Sequence, residues 1–248
     1  MSSDKTLTSD AELIIERQEQ AWTFILNRPD KRNALSAELV ESLIEGLDQA
    51  HAEQVPVLVF RGHGKNFSAG FDFSAYQEQS EGDLVLRFVR LETLLQKVAA
   101  SPAFTIGLAH GRNFGAGVDL FAACKYRICE PTSSFRMPGL RFGLVLGSRR
   151  FAQIVGREKA AYILASTATF EADQAASMDF VHDLVESGNW SQSIASLTAS
   201  MGCLAHTTRS TLFRVLDNQH HDADLADLVR SASAPGLKAR LQAYLKGD

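Results

Sequence analysis

The stretch "GRNFGAGVDLFAACKYRI", Gly111 to Ile128, decides how this chain is read. Glycines at 111, 115 and 117 make a turn, and the apolar run around Val118 to Ala123 continues from it as a mostly buried helix. A helix start near Gly115 leaves free N–H groups and the positive end of the dipole pointing at whatever lies in front of the turn. One carboxylate, Asp119, falls in that first helical turn. It has a plain explanation, since an acid there stabilises the dipole by about 0.3–1 kcal/mol. Its apolar neighbours argue for more, because a buried, unpaired carboxylate is costly and its pKa rises into the range of acid–base work.

Working outward, "AFTIGLAHG" before the turn reads as a strand, and "YRICE" and "SSFRMP" after the helix read as short strands. The same order occurs upstream. "VPVLVFRG" is a strand ending at Gly62, "GHGKNFSAGFD" is rich in turn residues, and a helix follows from about Gly82 to Ala100, stopped by Pro102. Leu84, Phe88, Leu91, Leu95 and Val98 mark its buried face. In "FSAGFD", Ala69 and Gly70 leave little bulk between backbone and ligand, so this turn can aim N–H groups at an oxygen. A plain strand-to-helix turn with Gly70 at positive φ is the simpler alternative.

Two units of strand, glycine-rich turn and helix indicate an α/β layer. Ahead of them, "ELIIERQEQAWTFILNRP" reads as a hairpin closed by Pro29 and Asp30, and Ser36 caps a helix running to about Glu53. From Gly147 the pattern turns helical through "GSRRFAQIVG", "REKAAYILAST" and "EADQAASMD", with "FVHDLVE" as a last strand. Three or four helices follow between Trp190 and Asp248, with stripes at Leu212, Val215 and Leu216 and at Leu225, Leu228 and Val229.

The 248 residues, 45% hydrophobic and 22% charged, describe a chain large enough for a substantial core. A net charge of −4 disfavours nucleic acid and anionic membrane surfaces, so any anionic ligand must be held locally. Cys124, Cys129 and Cys203 have neither disulfide nor zinc spacing and read as reduced thiols. With no signal-like or membrane-spanning run, the expected location is cytoplasmic, with residues 1–10 as a flexible N-terminus. The turns lack the G-x-G-x-x-G spacing of a dinucleotide site.

Taken together, "LNRPDKRNALS", "FSAGFD", "GRNFGAGVDLFAACKYRI" and "FRMPGLRFGL" resemble, in order and separation, the crotonase (enoyl-CoA hydratase/isomerase) superfamily, from about Glu12 to Val185. The resemblance implies an α/β crotonase-like spiral of repeated ββα units over 11–189, and a C-terminal helical subdomain over 190–248 that makes a homotrimer or a dimer of trimers. It implies an acyl-CoA thioester substrate, with coenzyme A as part of that substrate and no permanently bound cofactor, while charge and cysteine spacing lead to the expectation of no metal and no nucleic-acid or membrane partner. The two backbone N–H groups that polarise the thioester oxygen in the family fall at Phe71 and Ala116. Ala69, Gly70 and Phe71 would border coenzyme A, Asp72 takes the family's acidic position in that turn, and Arg28 and Lys31 lie where they could meet its phosphates. For those two cations a solvated surface role is the simpler reading.

The resemblance also exposes two departures. Family hydratases use two glutamates; the first place is held by Asp119 and the second, after the proline of "FRMPG", is Gly139. Aspartate shortens the reach by about 1.5 Å, and hydration needs a proton donor as well as a base. Ordinary two-glutamate hydration is therefore unexpected, and the same glycine removes the carboxylate that simple isomerases of the family commonly use as their shuttle. Asp119 becomes a lone acid/base whose reaction stays open among hydration, isomerisation, decarboxylation and thioester hydrolysis. The alternative is a catalytically silent member that binds CoA esters or a protein. "GLVLGSRRF" is about three residues shorter than the family's usual stretch, which reshapes the acyl pocket and makes Arg136, Arg141 and Arg149 candidates to face it. His63 and His110, beside the two turns, are candidate proton donors. The acyl chain, its substituents and the pathway are not encoded in any motif.

Overall fold

A computed structural model describes residues 11–217 and 220–247; the N-terminal segment 1–10, expected to be flexible, lies outside the described residues. A six-stranded sheet forms the centre, in the order β1 (Leu13–Arg17), β2 (Ala21–Leu26), β3 (Val57–Gly62), β4 (Phe104–Ala109), β6 (Tyr126–Cys129), β9 (Asp183–Leu184). The β1–β2 hairpin is antiparallel, with Leu13 opposite Leu26, and every other pair is parallel. Parallel strands need crossovers, and the helices that provide them bury the sheet.

Each face has its own apolar layer. Trp22, Phe24, Leu26, Leu58 and Phe60 share one cluster with Leu39, Leu43 and Leu47 of α1 (Ala37–Ala52) and Phe88, Leu91 and Leu95 of α2 (Glu81–Ala99). Val57, Val59, Ile106, Leu108 and Ile128 point the other way, onto Trp190, Ile194 and Leu197 of α7 (Trp190–Gly202). Burial on both sides explains why β3 and β4 read as continuous apolar runs rather than alternating ones. Both crossover helices begin where their sequences predict. The Ser36 hydroxyl accepts from Leu39 N at 3.0 Å, and Ser80 with Asp83 closes a reciprocal capping box before α2.

A second, three-stranded sheet joins β5 (Arg112–Phe114), β7 (Ser134–Arg136) and β8 (Thr169–Glu171). Two of its strands were not expected. Arg112–Phe114 reads as turn, and Thr169–Glu171 sits ahead of the helix read in "EADQAASMD", which begins at Ala172 as α6 (Ala172–Ser177). Three-residue strands are too short to show alternation, and their partners lie 22 to 37 residues away in sequence. The last strand also shrinks from "FVHDLVE" to Asp183–Leu184, since only those two residues pair with β6.

Between the sheets sits α3 (Ala116–Ala123), every residue of which is buried. Helices α4 (Ser148–Val155) and α5 (Arg157–Ser166) follow, and the C-terminal region is helical through α7, α8 (His206–Leu216), α9 (His221–Ala232) and α10 (Leu237–Lys246). Helix α9 packs on α2, and α10 packs on the single turn Gly139–Phe142. The two C-terminal stripes behave differently: Leu228 is fully buried, whereas Val215 and Leu216 are each 67% exposed on α8. Among the described residues no helix is long and apolar enough to cross a membrane.

Candidate active site

The first glycine turn is held in shape by "DKRNALS". Asn33, fully buried at φ 54°, donates its amide to the carbonyls of His63 and Asn66, both at 2.8 Å, and accepts from Arg28 N. The Ala69 amide donates to Arg32 O at 2.8 Å, Gly70 N to the Ser68 hydroxyl at 3.1 Å, and Asp72 N to Leu35 O at 3.2 Å. Leu35 and Phe71 form an isolated parallel bridge. Among the described residues nothing accepts from the Phe71 N–H itself.

The second turn is built against the first. Phe114 N donates to Ser68 O at 3.2 Å, and Gly115 N to Arg136 O at 2.8 Å. Gly70 lies at φ +83°, and a Cβ there would stand 2.4 Å from Phe114 O and 3.1 Å from Ala116 N. The backbones of the two turns are therefore in contact, which only glycine permits at that point. Gly115 O takes the amides of Val118 and Asp119, and among the described residues the Ala116 N–H has no acceptor. The two residues with these unpartnered donors, Phe71 and Ala116, line one hollow.

That hollow has a volume of about 400 Å³ and is lined by Ala69, Phe71, Ala116, Asp119, Gly139 and Gly147, with a largely apolar remainder from Phe73, Phe88, Met137, Leu140, Phe142, Leu144, Leu146 and Leu164. Exposed Lys31 and Arg32 stand at its rim, and Tyr244 and Leu245 reach it from α10. Asp119 is the acidic side chain of this lining among the described residues. Its Oδ1 is buried with no hydrogen-bond partner, and Gly147 makes room for it, since a Cβ at 147 would lie 2.2 Å from Oδ1. Burial drives the carboxyl up to about 7, opposed by Arg150, reinforced by Glu92 and eased by the Gly147 amide. At neutral pH such a group both takes and gives a proton.

The structure thus brings Phe71, Ala116, Asp119, Ala69 and Lys31 to one cavity, with Gly70 at the crossing of the turns beneath it. Arg28 and Asp72 do not line it. They pair with each other at 2.8 Å, and Arg28 also meets Glu12 at 2.7 Å. His63 bonds Asn27 and His110 bonds Gly64 O, both away from the cavity lining. None of the three candidate arginines lines it: Arg136 and Arg141 reach Thr167, and Arg149 pairs with Asp224 and Asp227. Gly139 does line it, with Leu144 O 3.1 Å from where its Cβ would be, and no carboxylate stands in its place.

Several residues of the site carry no sequence signal. Tyr244 and Leu245, on α10, lie more than 120 residues beyond Asp119. Glu92 does have one: it lies four residues after Phe88 and three before Leu95, on the apolar face of α2, where an acid needs a reason. Among the described residues no group of His, Cys, Asp or Glu is arranged to hold a metal ion.

The family model described as enoyl-CoA hydratase/isomerase matches residues 16–228. The protein named "Probable enoyl-CoA hydratase echA6" in Mycobacterium tuberculosis is 30% identical over 189 residues, covering 74% of this chain and 76% of its own. The 2,3-dehydroadipyl-CoA hydratase of Escherichia coli is 30% identical, covering 71% and 70% respectively. A solved structure from Bordetella parapertussis, titled as a candidate enoyl-CoA hydratase/isomerase, is 61% identical and superposes with a TM-score of 0.94, covering 94% of this chain and 98% of that one.

Proposed function

The chain belongs to the enoyl-CoA hydratase/isomerase family, and we propose that it moves a proton along the acyl group of a CoA thioester with a single carboxylate, Asp119. The observation that carries this is the lone buried acid with an unpartnered Oδ1, facing the same cavity as two unpartnered backbone donors. In this reading the N–H groups of Phe71 and Ala116 hold the thioester oxygen. Charge that develops there on enolisation is met by preorganised dipoles in a mostly apolar site. Asp119 takes the proton from the carbon next to the carbonyl, and the electron pair spreads into the enolate. For a 3-enoyl thioester the enolate extends to the fourth carbon. Return of the same proton there shifts the double bond from C3–C4 to C2–C3, with no water and no second acid consumed.

Hydration in the two-carboxylate manner lacks its second group at Gly139. The remaining lining points to an uncharged, apolar acyl group, because Phe73, Phe142, Leu144 and Leu164 offer a carboxylate nothing to pair with and burying one unpaired is costly. Lys31 and Arg32 at the rim suit the phosphates of coenzyme A, which the chain's net negative charge would otherwise repel. No permanently bound cofactor is part of the reading.

A panel of saturated, 2-enoyl, 3-enoyl and malonyl-type thioesters, assayed for product identity, tests it. The expected result is turnover of straight-chain 3-enoyl thioesters to 2-enoyl products. A 3-hydroxyacyl product formed as fast would overturn the one-base route, and no turnover of any member would leave a silent binding module. The trimeric assembly that the resemblance implies is supported by the exposed Leu212, Val215 and Leu216 stripe on α8, a face of the kind that becomes buried on self-association. Sedimentation should give three or six chains at micromolar concentration; a monomer would overturn it.

A further inference from the structure

The helices α2 and α4 both pack on α3, which carries Asp119, and α4 starts directly after Gly147, whose Cβ position lies 2.2 Å from Asp119 Oδ1. Between them α2 and α4 hold a buried electrostatic cluster that binding and chemistry as described above do not use. Glu92 of α2 is fully buried. Its Oε1 accepts from Arg150 Nη2 at 3.2 Å and from Gln96 Nε2 at 3.0 Å, while its Oε2 has no partner among the described residues. Arg150 of α4 is 3% exposed and also stands 3.8 Å from Asp224 of α9, which in turn pairs with Arg149. A purely structural reading would make this a tie between three helices. That reading is weak on energetic grounds, because a buried ion pair commonly contributes no more than well-packed apolar side chains of the same volume. An orphaned carboxylate oxygen makes the tie poorer still.

We propose, resting on the assignment of Asp119 as the acid/base, that Arg150 and Glu92 are positioning residues for the reaction: a buried cation and a buried acid that together fix how tightly Asp119 holds its proton. The physical need is specific. A carboxyl sealed in an apolar cavity with no charged neighbour would stay protonated far above neutrality and could not act as a base. A neighbouring cation lowers it, and a neighbouring anion stops it from falling to that of an ordinary carboxylate. The effects of Arg150 and Glu92 on Asp119 have these opposite signs, with Arg150 the stronger.

The other elements packed against α3 supply little competition. Strand β4 carries no charge, and Arg112 of β5 is exposed. On α2 the buried charged residue is Glu92, and on α4 Arg149 is turned toward Asp224 and Asp227. Lys31, Arg32 and Tyr244 share the cavity, with the two cations at its solvent rim.

The test is the pH dependence of kcat/KM in the full-length protein for a thioester it turns over. In the unaltered protein the activity rises with pH through the Asp119 ionisation, placed near 7. Arg150→Met is expected to move that rise upward by about 1–3 units, so that activity is lost at neutral pH and recovered in alkali. Glu92→Gln is expected to move it downward, by about 1 unit. Arg150→Lys, which keeps the charge, should leave it near its original place. Because Arg150→Met strands the Glu92 charge, the double variant Glu92→Gln/Arg150→Met carries the test if the single one does not accumulate. Its rise should lie between those of the unaltered protein and Arg150→Met.

Opposite displacements in Arg150→Met and Glu92→Gln support the proposal. A merely structural cluster would lower activity at every pH with the rise unmoved, and that result overturns it. If instead Asp119→Asn keeps full activity, the assignment of the acid/base itself has failed, and the two failures are told apart by that one control.

Discussion

Asp119→Asn is expected to lower kcat by about 10²–10⁴-fold, the usual contribution of a positioned acid or base, while a non-reacting CoA thioester still binds with nearly unchanged affinity. Asparagine has the same shape, so the cavity wall and the space made by Gly147 are kept. It cannot accept or return a proton at the substrate carbon. The Phe71 and Ala116 N–H groups are backbone atoms and are untouched, so the donors proposed for the thioester oxygen are kept. Folding should not suffer, because the change removes a carboxyl with an unpartnered buried oxygen and no salt bridge of its own. Turnover is compared with calorimetric binding of a saturated acyl-CoA. Full activity in the variant would sink the catalytic role; loss of binding together with activity would reassign Asp119 to substrate capture.

Gly70→Ala is expected to be nearly as damaging by a different route. Its Cβ would be 2.4 Å from Phe114 O, a backbone atom that cannot swing aside, and 3.1 Å from Ala116 N. The turns must separate, and both proposed donors move together. Loss of a single such donor typically costs about 10²–10³ in rate, so a loss of kcat/KM of at least about 10²-fold follows, with an added cost of about 1–2 kcal/mol for alanine at positive φ. The measurement is kcat/KM beside thermal unfolding of the same preparation. An intact fold with activity within a few-fold of the parent would show that the contact of the two turns is not what positions the donors.

Much of this site is legible in the chain, and the reasons are local. The glycines of "FSAGFD" and "GRNFGAG" announce turns with unpartnered amides, the apolar residues around Asp119 announce its burial, and Gly139 marks a place in the cavity lining without a side chain. Arg28 and Asp72 are expected beside coenzyme A from the resemblance, but their pairing with each other is not legible, since 44 residues separate them and their segments are joined by tertiary hydrogen bonds such as Ala69 N to Arg32 O and Asp72 N to Leu35 O. Likewise Arg136, Arg141 and Arg149 are candidates by position, yet each is drawn to a carbonyl, a hydroxyl or an acid on another element. The short strands Arg112–Phe114 and Thr169–Glu171 could not be read because three residues carry no period and their hydrogen bonds are non-local.

By itself, then, the order of residues determined the repeated strand, turn and helix, the family, the two glycine turns and the carboxylate that follows the second, because each rests on residues close together in sequence. Tertiary structure alone decided what surrounds that carboxylate. The apolar cavity is completed by Tyr244 and Leu245 of the last helix, and the charges that act on Asp119 come from Glu92 and Arg150 on α2 and α4, which pack on its helix. The physical reason is that a buried group's affinity for its proton depends on desolvation and on charges within a few ångströms in space. Neither quantity can be computed until distant segments have been packed against it.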